Sequence, residues 1–218
     1  MKSIFPGVFT DGKFLLTINL SPGKRVYDER FTREGGTEYR SWDAFRSKLA
    51  GAIKKGLKTF PFASGTKVLY LGASTGTTPS HVSDIVGSEG EVFAVEFAPH
   101  CMQLLIKNCE ERENLIPILA DANKPEEYKE VGEVDVIYQD VAQPNQSEIL
   151  IKNSKMFLKK GGIAMIAIKS QSIDVTKSPD EIFKIVLSQL EKEEFEVLEK
   201  LKLEPFDKDH MFVVLRKK

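Results

Sequence analysis

The stretch Lys67-Val68-Leu69-Tyr70-Leu71-Gly72-Ala73-Ser74-Thr75-Gly76-Thr77-Thr78 decides the fold. Lys67 to Leu71 reads as a short buried strand. The small residues after it form a turn that lets a ligand approach the backbone, and a helix opens from Thr78. Strand, glycine turn and helix in that order begin an open parallel sheet, whose ligands bind outside the carboxyl ends of its strands. Glycine turns also serve tight strand-to-helix packing, so the reading depends on what stands at the other strand ends.

Toward the C-terminus, apolar runs predict strands near 91–96, 115–119, 134–139, 162–168, 194–203 and 211–216. Helical patterns fall near 78–86, 99–110, 144–159 and 179–191. Ile163-Ala164-Met165-Ile166-Ala167-Ile168 is apolar throughout, which suits a strand buried on both faces. The last two strands leave no room for a helix between them and should pair as an antiparallel hairpin. Residues 67–218 thus read as an α/β, Rossmann-like domain with a seven-stranded, mostly parallel sheet and one antiparallel strand, whose ligand would sit at the carboxyl ends of the strands.

Toward the N-terminus the pattern changes. Thr10-Asp11-Gly12-Lys13 is a hairpin turn signal feeding Phe14 to Leu20. Ser21-Pro22-Gly23 turns the chain again, Lys24 to Phe31 alternates as a further strand would, and Gly35-Gly36 loosens the exit. A small antiparallel β domain over 1–40 is the simplest account. From Ser41, Trp42, Phe45, Leu49 and Ile53 recur at helical spacing, with Ser41 as cap and Asp43 suited to the helix dipole, so 41–66 reads as a linking helix and connector.

Composition narrows the function. Thirty-one basic residues face 32 acidic ones, so the chain lacks the positive balance of a protein that grips nucleic acid unaided. No run is long enough to cross a bilayer, and the first residues lack the apolar core of a signal peptide, which gives a cytoplasmic expectation with no membrane partner. Cys101 and Cys109 are eight apart in a helical pattern, about 12 Å, too far to bridge, and are expected to be reduced. No metal site is read.

Polar residues stand at one strand end after another. Glu96 ends the second strand, where a carboxylate accepts from both hydroxyls of a ribose, and Asp121 follows the third, where an acid accepts from an adenine amino group. Asp140 ends the fourth and Lys169 the fifth. The connection Pro205 to His210 brings His210 to the same edge, and Lys48 borders the apolar stripe of the linking helix. Each has a bland reading: a solvated strand-end charge for Lys169, a structural histidine for His210, a snorkelling lysine for Lys48. Glycine plus acid alone also fits a nicotinamide enzyme, although Gly72 and Gly76 enclose three residues and do not form the Gly-x-Gly-x-x-Gly pattern.

The ordered set Tyr39-Arg40-Ser41-Trp42, Arg46-Ser47-Lys48-Leu49, Tyr70 to Thr78, Ala94-Val95-Glu96-Phe97 and Tyr138-Gln139-Asp140-Val141-Ala142-Gln143 resembles fibrillarin in its short archaeal form, over essentially the whole chain. The resemblance implies an S-adenosylmethionine-dependent ribose 2′-O-methyltransferase of ribosomal and transfer RNA, the catalytic subunit of a box C/D ribonucleoprotein. Its implied partners are the guide RNA, a Nop-type scaffold protein, a kink-turn-binding ribosomal-like protein and the target RNA. Carried over by motif, Thr77, Thr78, Glu96, Phe97, Asp121, Ala122, Asp140 and Gln143 contact the cofactor, with Gly72, Ala73, Val141 and Ala142 beside them. Lys48, Asp140, Lys169 and His210 correspond to the family's catalytic set. The alternatives are a protein (glutamine) methyltransferase and a non-catalytic assembly module.

Overall fold

The computed structural model describes residues 1–193 and 195–218. Its first sheet is antiparallel throughout, built from β1 (Lys2–Phe5), β2 (Val8–Thr10), β3 (Leu15–Ile18), β4 (Phe31–Glu34) and β5 (Thr37–Trp42) in the order β1-β2-β3-β5-β4. Three expectations change here. Residues 24–30 are bends and irregular backbone, and the strand begins only at Phe31. Gly35 and Gly36, with φ of +57° and +82°, make the β4–β5 hairpin turn instead of an exit. Ser41 and Trp42 belong to β5, where Trp42 pairs with Leu15, so the sheet runs past residue 40. The helix is the shorter α1 (Lys48–Lys54), capped by Ser47, whose Oγ accepts from Ala50 N at 3.4 Å.

The second sheet follows the expected alternation. Its elements are β6 (Lys67–Leu71), α2 (Thr77–Val86), β7 (Glu91–Glu96), α3 (Pro99–Cys109), β8 (Leu115–Leu119), β9 (Val134–Gln139), α4 (Gln146–Phe157), β10 (Leu158–Lys169), α5 (Ser170–Ile173), α6 (Pro179–Lys192), β11 (Phe195–Lys202) and β12 (His210–Lys217). The strand order β11-β12-β10-β9-β6-β7-β8 leaves only β12 antiparallel to its neighbours. Residue 194, expected at the start of β11, lies outside the described residues. Helix α4 ends at Phe157 because Leu158 turns extended and joins the sheet opposite Val134. The kinked 3-10 segment Pro125–Val131 and the single turn α5 had no counterpart in the sequence reading.

Period-two alternation assigns the faces of the sheet. Val68, Tyr70, Met165 and Ala167 pack on one side with Leu49 and Ile53 of α1. Leu69, Leu71, Ala164, Ile166 and Ile168 pack on the other with Ile149 of α4 and Ile182 of α6. Val8, Leu15 and Trp42 of the first sheet belong to the first of these cores, so the two sheets are packed into one body.

Buried charge also joins them. Arg40 of β5 lies 3.1 Å from Asp84 of α2 and 3.4 Å from Glu29, and Arg112 reaches the other Asp84 oxygen at 2.5 Å. His81 of α2 stacks on Trp42 with ring centroids 4.9 Å apart and bonds Thr17 and Tyr27 across the junction. Burial, with the nearby Arg40 and Arg112 charges, holds the His81 imidazole well below its ordinary pKa.

Candidate active site

The carboxyl ends of β6 and β9 meet at Gly72. Its φ is +83°, and a Cβ there would stand 2.8 Å from Asp140 O, so both the backbone conformation and the close approach require glycine. Asp140 N donates to Leu71 O at 2.9 Å and locks the two ends together. Gly76, φ +94°, opens α2 with no side-chain cap. Pro79 has no N–H and Ser80 N already bonds Gly76 O, which leaves the Thr77 and Thr78 amides as open donors of the first turn.

A cavity of about 300 Å³ extends from this point along the strand ends, lined by Gly72, Ser74, Glu96, Phe97, Cys101, Ala122, Asp140, Val141, Ala142, Gln143 and Lys169 among others. Glu96 is buried, and its two oxygens accept from Ser74 N and Ala98 N, each at 2.8 Å. These bonds fix the carboxylate and leave a lone pair on each oxygen for a ligand. Phe97 presents its ring at the rim, 62% exposed. Asp121, expected beside the cofactor, is not among the lining residues, although its neighbours Ala120 and Ala122 are. The Asn123 backbone N–H on Asp121 Oδ1, 2.9 Å away, is the main reason its carboxyl sits below the usual carboxylate range.

A second cavity of about 240 Å³ is lined by Arg46, Lys48, Tyr70, Ala73, Thr75, Thr77, Thr78 and Pro79, and it shares Gly72, Ser74, Asp140 and Lys169 with the first. Thr77, Thr78 and Ala73, expected beside the cofactor, lie on this side. Thr78 is buried with its hydroxyl donating to Ser47 Oγ at 2.9 Å.

The wall between the cavities is ionic. Lys169 Nζ lies 2.8 Å from Asp140 Oδ1 and 3.0 Å from Asp140 O, and Lys48 Nζ lies 3.2 Å from the same carboxylate. Burial opposes charge on Lys48, but Asp140 and Asp207 outweigh it, so its pKa is raised and it stays an ammonium. The phenols of Tyr70 and Tyr138 stack 4.6 Å apart close by, and burial drives both pKa values far up, which keeps them neutral.

His210 completes the set from β12, where it pairs directly with Lys169 of β10. Lys48, Asp140 and Lys169, from α1, the residue after β9, and β10, are in direct contact, while His210 of β12 lines neither cavity and reaches them through Asp207. Two further residues hold them and went unread in the sequence. Gln146, fully buried at the start of α4, accepts from Lys169 N at 3.0 Å and donates to Lys169 O at 3.2 Å. Asp207 lies 3.4 Å from Lys48 Nζ and 2.9 Å from His210 Nδ1. A glutamine at a helix start and an acid in a loop carry no periodic signal.

The arrangement offers an elongated cofactor-sized cavity, a second cavity, and charge concentrated where they touch. Known proteins share this chain's sequence and fold. The sequence profile of the family described as Fibrillarin matches residues 1–218. A "Fibrillarin-like rRNA/tRNA 2'-O-methyltransferase" of Thermococcus sibiricus is 54% identical over 222 residues, covering 99% of this chain and 98% of its own. Aeropyrum pernix fibrillarin, solved with natively bound S-adenosyl-L-methionine, superposes with a TM-score of 0.87 at 46% identity, covering 93% of this chain and 88% of its own. The fibrillarin of a solved fibrillarin/Nop5p complex superposes with a TM-score of 0.91 at 41% identity over the full length of both chains. With the whole chain matched in sequence, fold and topology, this protein belongs to the fibrillarin family.

Proposed function

We propose that this chain transfers a methyl group from S-adenosylmethionine to ribose 2′-hydroxyls of ribosomal and transfer RNA. The observation that carries the reading is the pair of cavities meeting on the Lys48–Asp140–Lys169 cluster. Such a wall lets a donor lie on one side and an acceptor oxygen on the other, in line.

The larger cavity fits the cofactor on three counts: a buried, immobilised carboxylate at Glu96, an exposed ring at Phe97, and a Gly72 cradle that a side chain would fill. In this reading Glu96 receives the ribose hydroxyls, Asp121 and Ala122 face the adenine end, and Val141, Ala142 and Gln143 close the side. The open amides of Thr77 and Thr78 suit a carboxylate. When bound, S-adenosylmethionine supplies an electrophilic methyl on a sulfonium sulfur.

The chain's own residues then have separate tasks. Lys169 contacts the 2′-oxygen and assists its deprotonation by stabilising the negative charge that grows there. Lys48, kept charged by two carboxylates, adds to that field and does not itself accept a proton. Asp140 holds both ammonium groups in register and faces the sulfonium side of the wall.

The balanced net charge, 31 basic against 32 acidic residues, supports a subunit that takes its RNA from partners. A guide RNA selects the nucleotide, while a Nop-type scaffold and a kink-turn-binding ribosomal-like protein present it, in the cytoplasm. Among the described residues no helix is long and apolar enough to cross a membrane.

The test is single-turnover methylation in the reconstituted assembly by Lys169→Ala and Asp140→Ala proteins that keep their fold and cofactor binding. Rates reduced at least a hundredfold are expected. Rates near wild type would overturn the assignment.

A further inference from the structure

The cluster described above is rich in hydrogen-bond donors. Two ammonium groups offer six N–H bonds between them, and the Asp140 carboxylate is already engaged by both. A hydroxyl entering this site must lose a proton as the C–O bond forms, and it needs a group with a bare lone pair to receive it.

Among the described residues one nitrogen near the site is arranged to be bare. His210 Nδ1 faces two oxygens, Lys208 O at 2.6 Å and Asp207 Oδ1 at 2.9 Å. Both accept and neither donates, so a lone pair on Nδ1 would be repelled by both. The proton of the neutral ring therefore belongs on Nδ1, and the lone pair on Nε2. Among the described residues no protein group bonds Nε2. The loop carrying these groups is itself tied down. Phe206 N bonds Leu203 O at 2.8 Å, Leu203 N bonds His210 O at 3.1 Å, and Ser170 Oγ, next to Lys169, donates to Asp209 O at 2.9 Å. Asp209 takes a φ of +59°, a left-handed conformation that aspartate tolerates better than most residues.

Asp207 also touches Lys48, at 3.4 Å. Four side-chain contacts run from Lys169 to Asp140, Asp140 to Lys48, Lys48 to Asp207 and Asp207 to His210, and the backbone register of the β10–β12 pair, which sets His210 opposite Lys169, closes the ring.

We propose that Asp207 is a positioning residue that fixes His210 as its Nδ1–H tautomer, so that Nε2 receives the 2′-hydroxyl proton during transfer. This rests on the methyltransferase reading above. In the step, the methyl carbon bonds the ribose oxygen and leaves sulfur, whose bonding pair stays on sulfur. The hydroxyl proton passes to Nε2, and the resulting imidazolium lies against the Asp207 carboxylate. Water later takes the proton away.

The experiment has two arms. In the first, the ring nitrogens of His210 are observed by two-bond nitrogen–proton correlation on the full-length chain without RNA, assigned with His210→Gln. Nδ1 protonated and Nε2 bare is the expected pattern, and the opposite tautomer overturns the proposal. In the second, single-turnover rates are measured at saturating cofactor in the guide-assembled complex. Asp207→Asn should slow transfer at least tenfold with cofactor affinity within twofold of wild type, and Asp207→Glu should recover to within threefold. In a His210→Gln background, Asp207→Asn should add less than twofold, because it acts through the imidazole.

A rate for Asp207→Asn within twofold of wild type overturns the proposal. So does a fully additive loss in the double variant, or a loss explained by weaker cofactor binding. A wild-type assembly that transfers nothing to RNA would count against the functional reading instead, and the tautomer arm still decides the placement of the proton.

Discussion

Gly72 shows how one residue governs the site. Its missing side chain lets the β6 and β9 ends touch, with Asp140 O 2.8 Å from where a Cβ would be. Gly72→Ala would force a left-handed backbone on alanine and push Asp140 off its lysines. The expected result is a loss of about 1–3 kcal/mol in stability and cofactor affinity weakened at least tenfold, checked by urea denaturation and titration calorimetry. Gln146 acts on Lys169 from behind, through bonds of 3.0 and 3.2 Å to its backbone. Gln146→Leu fills the same space without those bonds, and should slow single-turnover transfer about tenfold or more while leaving cofactor affinity nearly unchanged. Asp140 and Lys169 were legible in the sequence because each stands at the end of a recognisable strand. Gln146 and Asp207 were not, since their importance lies in contacts made across 23 positions in one case and 159 in the other.

At the scale of elements, central strands such as β6 and the 163–168 part of β10 were legible because they are apolar on both faces. The segment 41–53 was misread for a physical reason. In β5 the buried positions include Glu38 and Arg40, so its inward face does not read as apolar, while Trp42, Phe45, Leu49 and Ile53 happen to fit a helical period. The true start of α1 is set by Ser47, which caps the helix and also accepts from Thr78 of α2 at 2.9 Å. One hydroxyl thereby fixes where Lys48 enters the site. Ser47→Ala should cost about 1 kcal/mol of stability, seen in the thermal midpoint, and should slow transfer further than that loss of folded protein explains. Ser47→Thr should retain most of both.

For the whole molecule, the junction between the two sheets makes stability depend on acid. The folded His81 imidazole binds its proton more weakly than its ordinary value of 6.5. Above about pH 6.5 both folded and unfolded chains hold it neutral, and stability is intact. As pH falls below that value the unfolded chain takes up a proton that the folded chain refuses. Stability should then drop by about 1.4 kcal/mol per pH unit from this group alone. Urea midpoints between pH 4.5 and 7.5 will show the slope, and His81→Gln should flatten it.

The ring around Asp140 has a consequence for molecules caught partway through folding. The larger cavity is lined only by residues between 72 and 169. The ring is closed by Lys48 from before that stretch and by Asp207 and His210 from after it. The pocket is thus built from the middle of the chain and the reaction centre is completed from its two extremities, so one enzyme's chemistry reports on the docking of both ends.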